Sequence, residues 1–592
     1  MPDNINAWDE EYDVVVVGSG AGGLTAAICA HDLGLKALVV EKSDLYGGTS
    51  AISGGGIWIP DNYQIPGLGA EDSEEKALGY IRRVIGAVPD DGRLETYVAN
   101  GKKMVKYLED NTQVKFLAQP AYTDYYPEVE GGMPGYRSMD PAPYHAGKLG
   151  EEFNRLRPPT SATLMMGRMS MSMKDARVML TRSPGYIKAL MKTMWRYWSD
   201  LPWRFKSSRD RYLTLGSALL AALRASMVDR NMALWLNAPM KKLIDDDGNV
   251  VGLEVEKDGR SVKVKAKNGV IIAAGGFEHS QEMREKYHPQ PSRKEWSATP
   301  AGNNTGDGIQ AGLSLGAEVA SMDLAWWSPT SQAPGSPQAT VMFIERALPG
   351  SIMVNSAGRR FVNEAGPYDA IGYAMYEADK EEGATAVPCW FIFDTTYRKN
   401  YPCGPMLPGY ASPDKALPKS LKDNYFFREN SIAELAERIG VDRNGLVNTV
   451  EQYNQHAREG EDPEFHKGES LFDRYYGDDN VKPNPCVGPV EKGPFYAVKV
   501  NVGDIGTKGG LYTDVNARVL RKDGQPIEGL YSIGNSMASP MMQVYPGAGS
   551  TIGPAMTFGY LAANFMKDHP VQTSVQASVL ESSKEMNDAV EA

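Results

Sequence analysis

Thirty tyrosines against seven histidines are the first constraint on how this chain could move protons. A phenol gives up its proton only near pH 10, so tyrosine donates hydrogen bonds readily and acts as a base only where its surroundings stabilise the phenolate. The densest arrangement is Met541–Tyr560, MMQVYPGAGSTIGPAMTFGY, where Tyr545 and Gly549 lie four residues apart on a glycine-rich turn. A phenol and a backbone N–H converging on one oxygen make an oxyanion hole, the device that stabilises an enolate. A second string with chemistry in it is Gly18-Ser19-Gly20-Ala21-Gly22-Gly23, in which Gly18, Gly20 and Gly23 satisfy GxGxxG. The four cysteines (Cys29, Cys389, Cys403, Cys486) are scattered, with no CxxC pair and no histidine cluster, so no metal site is expected.

The elements around these residues say what they serve. In Tyr12–Ala27, YDVVVVGSGAGGLTAA, four consecutive valines suit a parallel strand buried on both faces. Gly18 permits the tight turn that follows, Gly20 the approach of backbone to a pyrophosphate, and Gly23 close packing of helix on strand. A helix over Leu24–Leu33 would aim its N-terminal N–H groups at the phosphates. A second strand, Lys36–Val40, ends at Glu41, where a carboxylate meets a ribose diol. Ser43–Gly56, SDLYGGTSAISGGG, is then a second glycine-rich loop where a nicotinamide enzyme would usually continue with a helix. Extended small-residue backbone suits the ribityl chain and ring of FAD. Val270–Phe277, VIIAAGGF, and Gly529–Asn535, GLYSIGN, read as further strands ending in glycine turns. A helix opening at about Ser550 would face the flavin's pyrimidine edge, where negative charge gathers on reduction.

At 592 residues the chain is long enough for two domains with sizeable cores. Its net charge of -12 argues against a nucleic-acid partner. Met1–Tyr12 is polar and acidic, with no signal-peptide pattern, and no apolar run approaches the ~20 residues of a spanning helix, so a cytoplasmic protein is expected. Residues 151–211 stand apart: Trp195, Trp198 and Trp203 lie among Lys188, Lys192, Arg196, Arg204 and Lys206. Such interleaving suits a peripheral membrane contact. The favoured expectation is a structured insertion that packs those aromatics internally or in a subunit contact.

The strings GGTS, VIIAAGGF and GLYSIGN, with Thr305-Gly306-Asp307-Gly308, resemble the flavoprotein family that includes fumarate reductases and ketosteroid dehydrogenases, over nearly the whole chain. Tyr545, Gly547 and Gly549 match the Tyr-x-Gly-x-Gly segment of 3-ketosteroid Δ1-dehydrogenases in particular. That resemblance implies an α/β fold: a Rossmann-like FAD-binding domain over 1–320 and 495–592, with an α+β catalytic cap inserted over 321–494. It implies non-covalent FAD held by Gly18, Ser19, Gly20, Ala21, Gly22, Gly23, Glu41, Lys42, Gly47, Gly48, Thr49, Ser50, Ser53, Gly54 and Gly55. Met240, Ala274, Gly275, Asp307, Gly534, Asn535, Ser550, Thr551 and Ile552 complete the set. RFVNEAGPYDAIGYAMY resembles the segment supplying the base, matched by Tyr368, and AYTDYYPEVEGG the segment supplying an auxiliary tyrosine, matched by Tyr122, with Tyr125 and Tyr126 close by.

The implied reaction is 1,2-desaturation of a 3-ketosteroid: Tyr545 and the Gly549 N–H polarise the ketone, Tyr368 takes the carbon-2 proton, and the carbon-1 hydride passes to flavin. A quinone or carrier would be the electron acceptor, since one dinucleotide fingerprint leaves no separate NAD site. The alternatives are a 4,5-dehydrogenase, a fumarate reductase-like protein and a non-catalytic flavoprotein subunit.

Overall fold

The structure, a computed structural model, describes residues 8–571 apart from positions 87, 88 and 90; the polar start of the chain and its last 21 residues lie outside these. Strand Glu10–Val17 runs parallel to Ala37–Val40 on one side and to Arg260–Ile272 on the other. Ala233–Trp235 and Pro526–Ser532 extend this parallel core outward, so segments some 500 residues apart in sequence sit in one sheet. Its central valines, Val14, Val15 and Val16, are fully buried, which is why the run is continuous rather than alternating. Helix Ala21–Asp32 begins directly after Gly20, three residues before the expected start, because Gly20 is the extended N-cap residue. It packs on helix Ile552–Asp568, which opens two residues after Ser550.

A second, six-stranded antiparallel sheet is built from Thr340–Val341, Ala325–Ser331, Phe495–Thr507, Cys389–Phe393, Ser351–Val354 and Phe426–Glu429. Strand Phe495–Thr507, expected to begin the return to the flavin-binding sheet, pairs wholly in this second sheet; its first half meets Cys389–Phe393 and its second Ala325–Ser331. The chain therefore crosses back only after Thr507. Residues 431–458, where Leu435, Ile439, Leu446, Val450 and Tyr453 recur at helical spacing, form two helices, Ile432–Ile439 and Arg443–Ala457. Left-handed Gly440 ends the first, and Asp442 caps the second.

Residues 151–211 form helices Met173–Leu180, Tyr186–Ser199 and Leu201–Arg204. Trp203 packs inward, its indole N–H donating to the Arg209 carbonyl at 2.7 Å. Trp195 and Trp198 do not: they are 78% and 52% exposed, and Phe205 is 90% exposed. The expected internal packing holds for one tryptophan of the three.

Candidate active site

Three tyrosines from distant segments meet. Tyr125 comes from the loop after strand Phe116–Ala118, Tyr368 heads helix Tyr368–Ala378, and Tyr545 sits on the loop before helix Ile552–Asp568. The Tyr125 hydroxyl donates to the Tyr368 hydroxyl at 3.0 Å. Its ring stacks on Tyr545 with centroids 5.1 Å apart, and Tyr368 meets Tyr545 edge-on at 5.3 Å. Phe472, Trp326 and Phe343 close the cluster against Tyr125, Tyr545 and Tyr368 respectively.

Each tyrosine is held by its backbone surroundings. The Tyr125 N–H donates to the Pro546 carbonyl at 3.0 Å, stitching its loop to that of Tyr545, and Tyr80 donates its hydroxyl to the same carbonyl. Neighbouring Asp124 is pinned by the Trp58 indole and the Arg137 guanidinium. The approach to Tyr368 is fixed by buried Arg346, which donates to the carbonyls of Glu364 and Gly366. Gly549 has φ +104°, and a Cβ there would lie 2.3–2.6 Å from the backbone of Ile57, so only glycine can present its N–H at this point. The Gly549 N–H and the Tyr368 hydroxyl lie near the Tyr545 hydroxyl, to which Thr551 donates at 3.3 Å.

Burial pushes the Tyr368 phenol well above the usual tyrosine range; the Tyr545 and Tyr122 phenols push the same way, and the hydrogen bond from Tyr125 works against them. Burial raises Tyr545 as well, opposed by hydrogen bonds from Thr551, Tyr368 and Gly549. Tyr122 pairs its hydroxyl with Tyr476 and stacks on Tyr475 at 4.6 Å. The hydrogen-bond partner of Tyr368 is thus Tyr125, three residues on from the one expected. The Tyr126 N–H donates to the Tyr80 hydroxyl.

Along the first sheet's carboxyl edge the expected cofactor residues come together. Glu41 accepts from the Ser19 N–H and hydroxyl at 3.1 and 2.6 Å, and the Ser19 hydroxyl accepts from Gly47 N–H. Ser50 accepts from Ala21 N–H, and Lys42 pairs with Asp307 at 2.7 Å. The Ala238 N–H donates to the Glu41 carbonyl, which brings Met240, half-buried at the head of its strand, to the same end. Asn304 donates to Thr49 and to Glu278 and packs against Gly275 in the turn at Ala274-Gly275, and Ser536, beside Gly534-Asn535, donates to the Gly275 carbonyl at 2.7 Å. Asn535 accepts the Trp326 indole N–H, joining this edge to the tyrosines.

Ser550 donates to the Gly547 carbonyl, and Thr551 is the N-cap of the helix starting at Ile552. Gly22 and Gly23 lie in the first turn of a helix with no side-chain cap. The second loop leaves room for a bound group: a Cβ at Gly54 would meet nothing within 4 Å, and at Gly48 only the Gly20 Cα at 4.0 Å, while Ser53 turns the loop by bonding Gly55 N–H. Backbone N–H groups, a carboxylate at the strand end and open glycine edges fit a dinucleotide with a pyrophosphate.

The FAD binding domain family matches residues 13–552. The 3-oxosteroid 1-dehydrogenase of Mycolicibacterium smegmatis is 41% identical over 94% of this chain and 97% of its own, and that of Comamonas testosteroni 40% identical over 95% and 98%. The crystal structure of 3-ketosteroid Δ1-dehydrogenase from Sterolibacterium denitrificans, in complex with 1,4-androstadiene-3,17-dione, superposes with a TM-score of 0.91 at 48% identity, covering 94% of this chain and 100% of that one. The chain belongs to the 3-oxosteroid 1-dehydrogenase family. It is an FAD-dependent oxidoreductase.

Within that family frame, the arginines that a dicarboxylate site would need are engaged elsewhere. Arg360 is buried in an ion cluster with Glu364 and Asp462, and Arg359 is an exposed partner of Glu381. Sequence reasoning gave no role to Phe472, Tyr476, Arg346 or Trp326. Nothing local to the string that holds Tyr476, YYGDDNVKPNP, signals which loop it faces.

Proposed function

We propose that the protein 1,2-desaturates 3-ketosteroids, with Tyr368 as base. The observation that carries this reading is the meeting of Tyr125, Tyr368 and Tyr545, with Gly549 on the same turn as Tyr545, one ketone-binding corner beside one base. Tyr545 and the Gly549 N–H donate to the substrate's carbon-3 oxygen. Charge drawn onto that oxygen acidifies the carbon-2 proton. Tyr368 receives that proton, and the Tyr125 hydroxyl donates to the Tyr368 oxygen, offsetting the cost of a buried phenolate. FAD, held without a covalent bond along the Gly18–Gly23 and Gly47–Gly55 loops, supplies the acceptor for the carbon-1 hydride. Tyr125 takes the auxiliary role expected of Tyr122, which stands one shell out with Tyr476. The second sheet with its helices acts as the cap, and a quinone or carrier protein reoxidises the cofactor.

The exposed face of residues 151–211 supports a peripheral membrane contact. Ile187, Met191, Trp195 and Trp198 are exposed along one helix, continued by Leu201 and Phe205, with Lys188, Lys192 and Lys206 beside them. Apolar side chains entering a bilayer surface while lysines meet its phosphates is the arrangement of an interfacial helix. Among the described residues no helix is long and apolar enough to cross a membrane. The protein is expected to sediment with anionic phospholipid vesicles, and Trp195→Ala with Phe205→Ala to stay in the supernatant. Equal sedimentation of parent and variant removes this contact.

The reaction itself is tested by mixing the purified holoenzyme anaerobically with a 3-keto-4-ene steroid. Bleaching of the flavin band with formation of the 1,4-diene is expected. Reaction only with a saturated 3-ketosteroid to give the 4-ene would replace the reading with 4,5-desaturation, and no response to either would remove the steroid.

A further inference from the structure

The insertion at 151–211 starts on the cofactor loop. The Tyr46 carbonyl accepts the Arg157 N–H at 3.0 Å, and the Tyr46 N–H donates to the Arg155 carbonyl at 2.9 Å. The two segments thus form a short parallel bridge centred on Tyr46 and Leu156, whose side chains are completely buried. Arg209, from the far end of the insertion, braces this bridge by donating to the carbonyls of Phe153 and Leu156, each at 2.9 Å. The backbone at Arg157 is therefore fixed against the second glycine-rich loop.

That placement brings the Arg157 side chain to the end of the second strand. Its Nη2 donates to the Ser43 hydroxyl at 3.0 Å, across 114 residues of sequence. The Ser43 N–H in turn donates to Glu41 Oε1 at 2.9 Å, while Ser19 holds Glu41 Oε2. One serine therefore links the guanidinium to the carboxylate that a ribose diol would meet. Among the described residues, the Arg157 Nε is shut off from solvent and has no hydrogen-bond partner. Native structures leave few buried donors unanswered. The adenosine half of FAD carries the acceptors this donor lacks, in its ribose oxygens and adenine nitrogens, and a flat ring on which a guanidinium stacks.

We propose that Arg157 is a further FAD-binding residue: its guanidinium, anchored on Ser43, meets the adenosine half of the cofactor. The base of the insertion then forms one wall of the cofactor site. Glu41 decides against a 2′-phosphate as the guanidinium's partner, because a carboxylate held at the ribose repels one. This inference rests on the placement of FAD along the first sheet's carboxyl edge and is independent of the steroid.

The test is FAD retention by Arg157→Met and Arg157→Lys, measured as flavin release from the holoenzyme on dilution, together with titration of ADP into the full chain freed of FAD. ADP carries the adenosine half and the pyrophosphate without the flavin. Arg157→Met should weaken FAD and ADP alike, by on the order of tenfold or more, the value of hydrogen bonds from a charged donor. Arg157→Lys keeps a donor and the charge and should recover part of the loss. FAD held by Arg157→Met as tightly as by the parent overturns the proposal. A loss of FAD with ADP affinity unmoved overturns it too, since Arg157 would then serve only to support the loop beside the flavin. Glu41→Gln separates the inference from the cofactor's placement. If neither it nor Arg157→Met releases FAD, the adenosine half lies elsewhere and the placement fails. If Glu41→Gln alone releases FAD, the placement stands and only the assignment of Arg157 falls.

Discussion

At the scale of single residues, the proposed reaction turns on which phenol touches which. Tyr368→Phe should keep FAD and steroid binding while lowering kcat by on the order of 10²–10⁴, as measured by steady-state turnover and flavin titration. Because burial raises the Tyr368 phenol and Tyr125 pulls it down, kcat should climb with pH through the alkaline range until Tyr545 ionises. Tyr125→Phe should move that climb to higher pH and cost roughly 10–100-fold near neutrality, the value of a hydrogen bond to a charged group. Tyr122→Phe should cost less, since its hydroxyl is spent on Tyr476. The reverse order of the two losses in a kcat–pH series would return the auxiliary role to Tyr122. The string AYTDYYPEVEGG shows three tyrosines within five positions and gives no means of choosing among them. What separates them is that Tyr125 N–H bonds to Pro546, a contact across some 420 residues that no local pattern announces.

At the scale of elements, the strand–loop–helix unit from Glu10 to Asp32 was legible because its chemistry is local. Four valines, three spaced glycines and a carboxylate at the end of the next strand each state a backbone requirement. Glu41→Gln should therefore weaken FAD retention by roughly 10–100-fold, measured by flavin release on dilution, because the neutral amide is the poorer acceptor for a ribose diol. An unchanged dissociation constant would mean that Glu41 serves only to hold Ser19. Element boundaries were less legible. Phe495–Thr507 carries the apolar character that either sheet would accept, and only the pairing with Ala325–Ser331 and Cys389–Phe393 assigns it to the second. The break at Gly440 was written in the sequence, since a glycine followed two residues later by aspartate is a helix stop beside a helix start.

At the scale of the whole molecule, buried charge holds the second sheet's helices to the site. Arg360 bridges Glu364 and Asp462, and Lys467 lies 3.5 Å from Glu364. Burial alone would raise Glu364, yet the charges of Arg360 and Lys467 with the Arg360 hydrogen bonds hold it at about 2, against 4.5 for the unperturbed group. A depressed carboxyl stabilises the fold above its unfolded value. That contribution should fade as pH falls from about 4.5 toward 2. Thermal unfolding of Glu364→Gln should accordingly show a lower midpoint than the parent near pH 6 and a smaller gap near pH 3. A constant gap would detach the cluster from acid stability. By itself, the sequence determined the cofactor, the nucleotide-binding unit, the family and the chemical character of the site, because each is carried by short strings in which residue type dictates backbone geometry or hydrogen bonding. Only the tertiary structure decided that Tyr125 is the phenol on Tyr368, that Arg360 is a structural charge, and that Trp195 and Phe205 face outward. Those are matters of which side chains meet after segments hundreds of residues apart have packed, and burial and distance, unlike spacing, exist only in the folded chain.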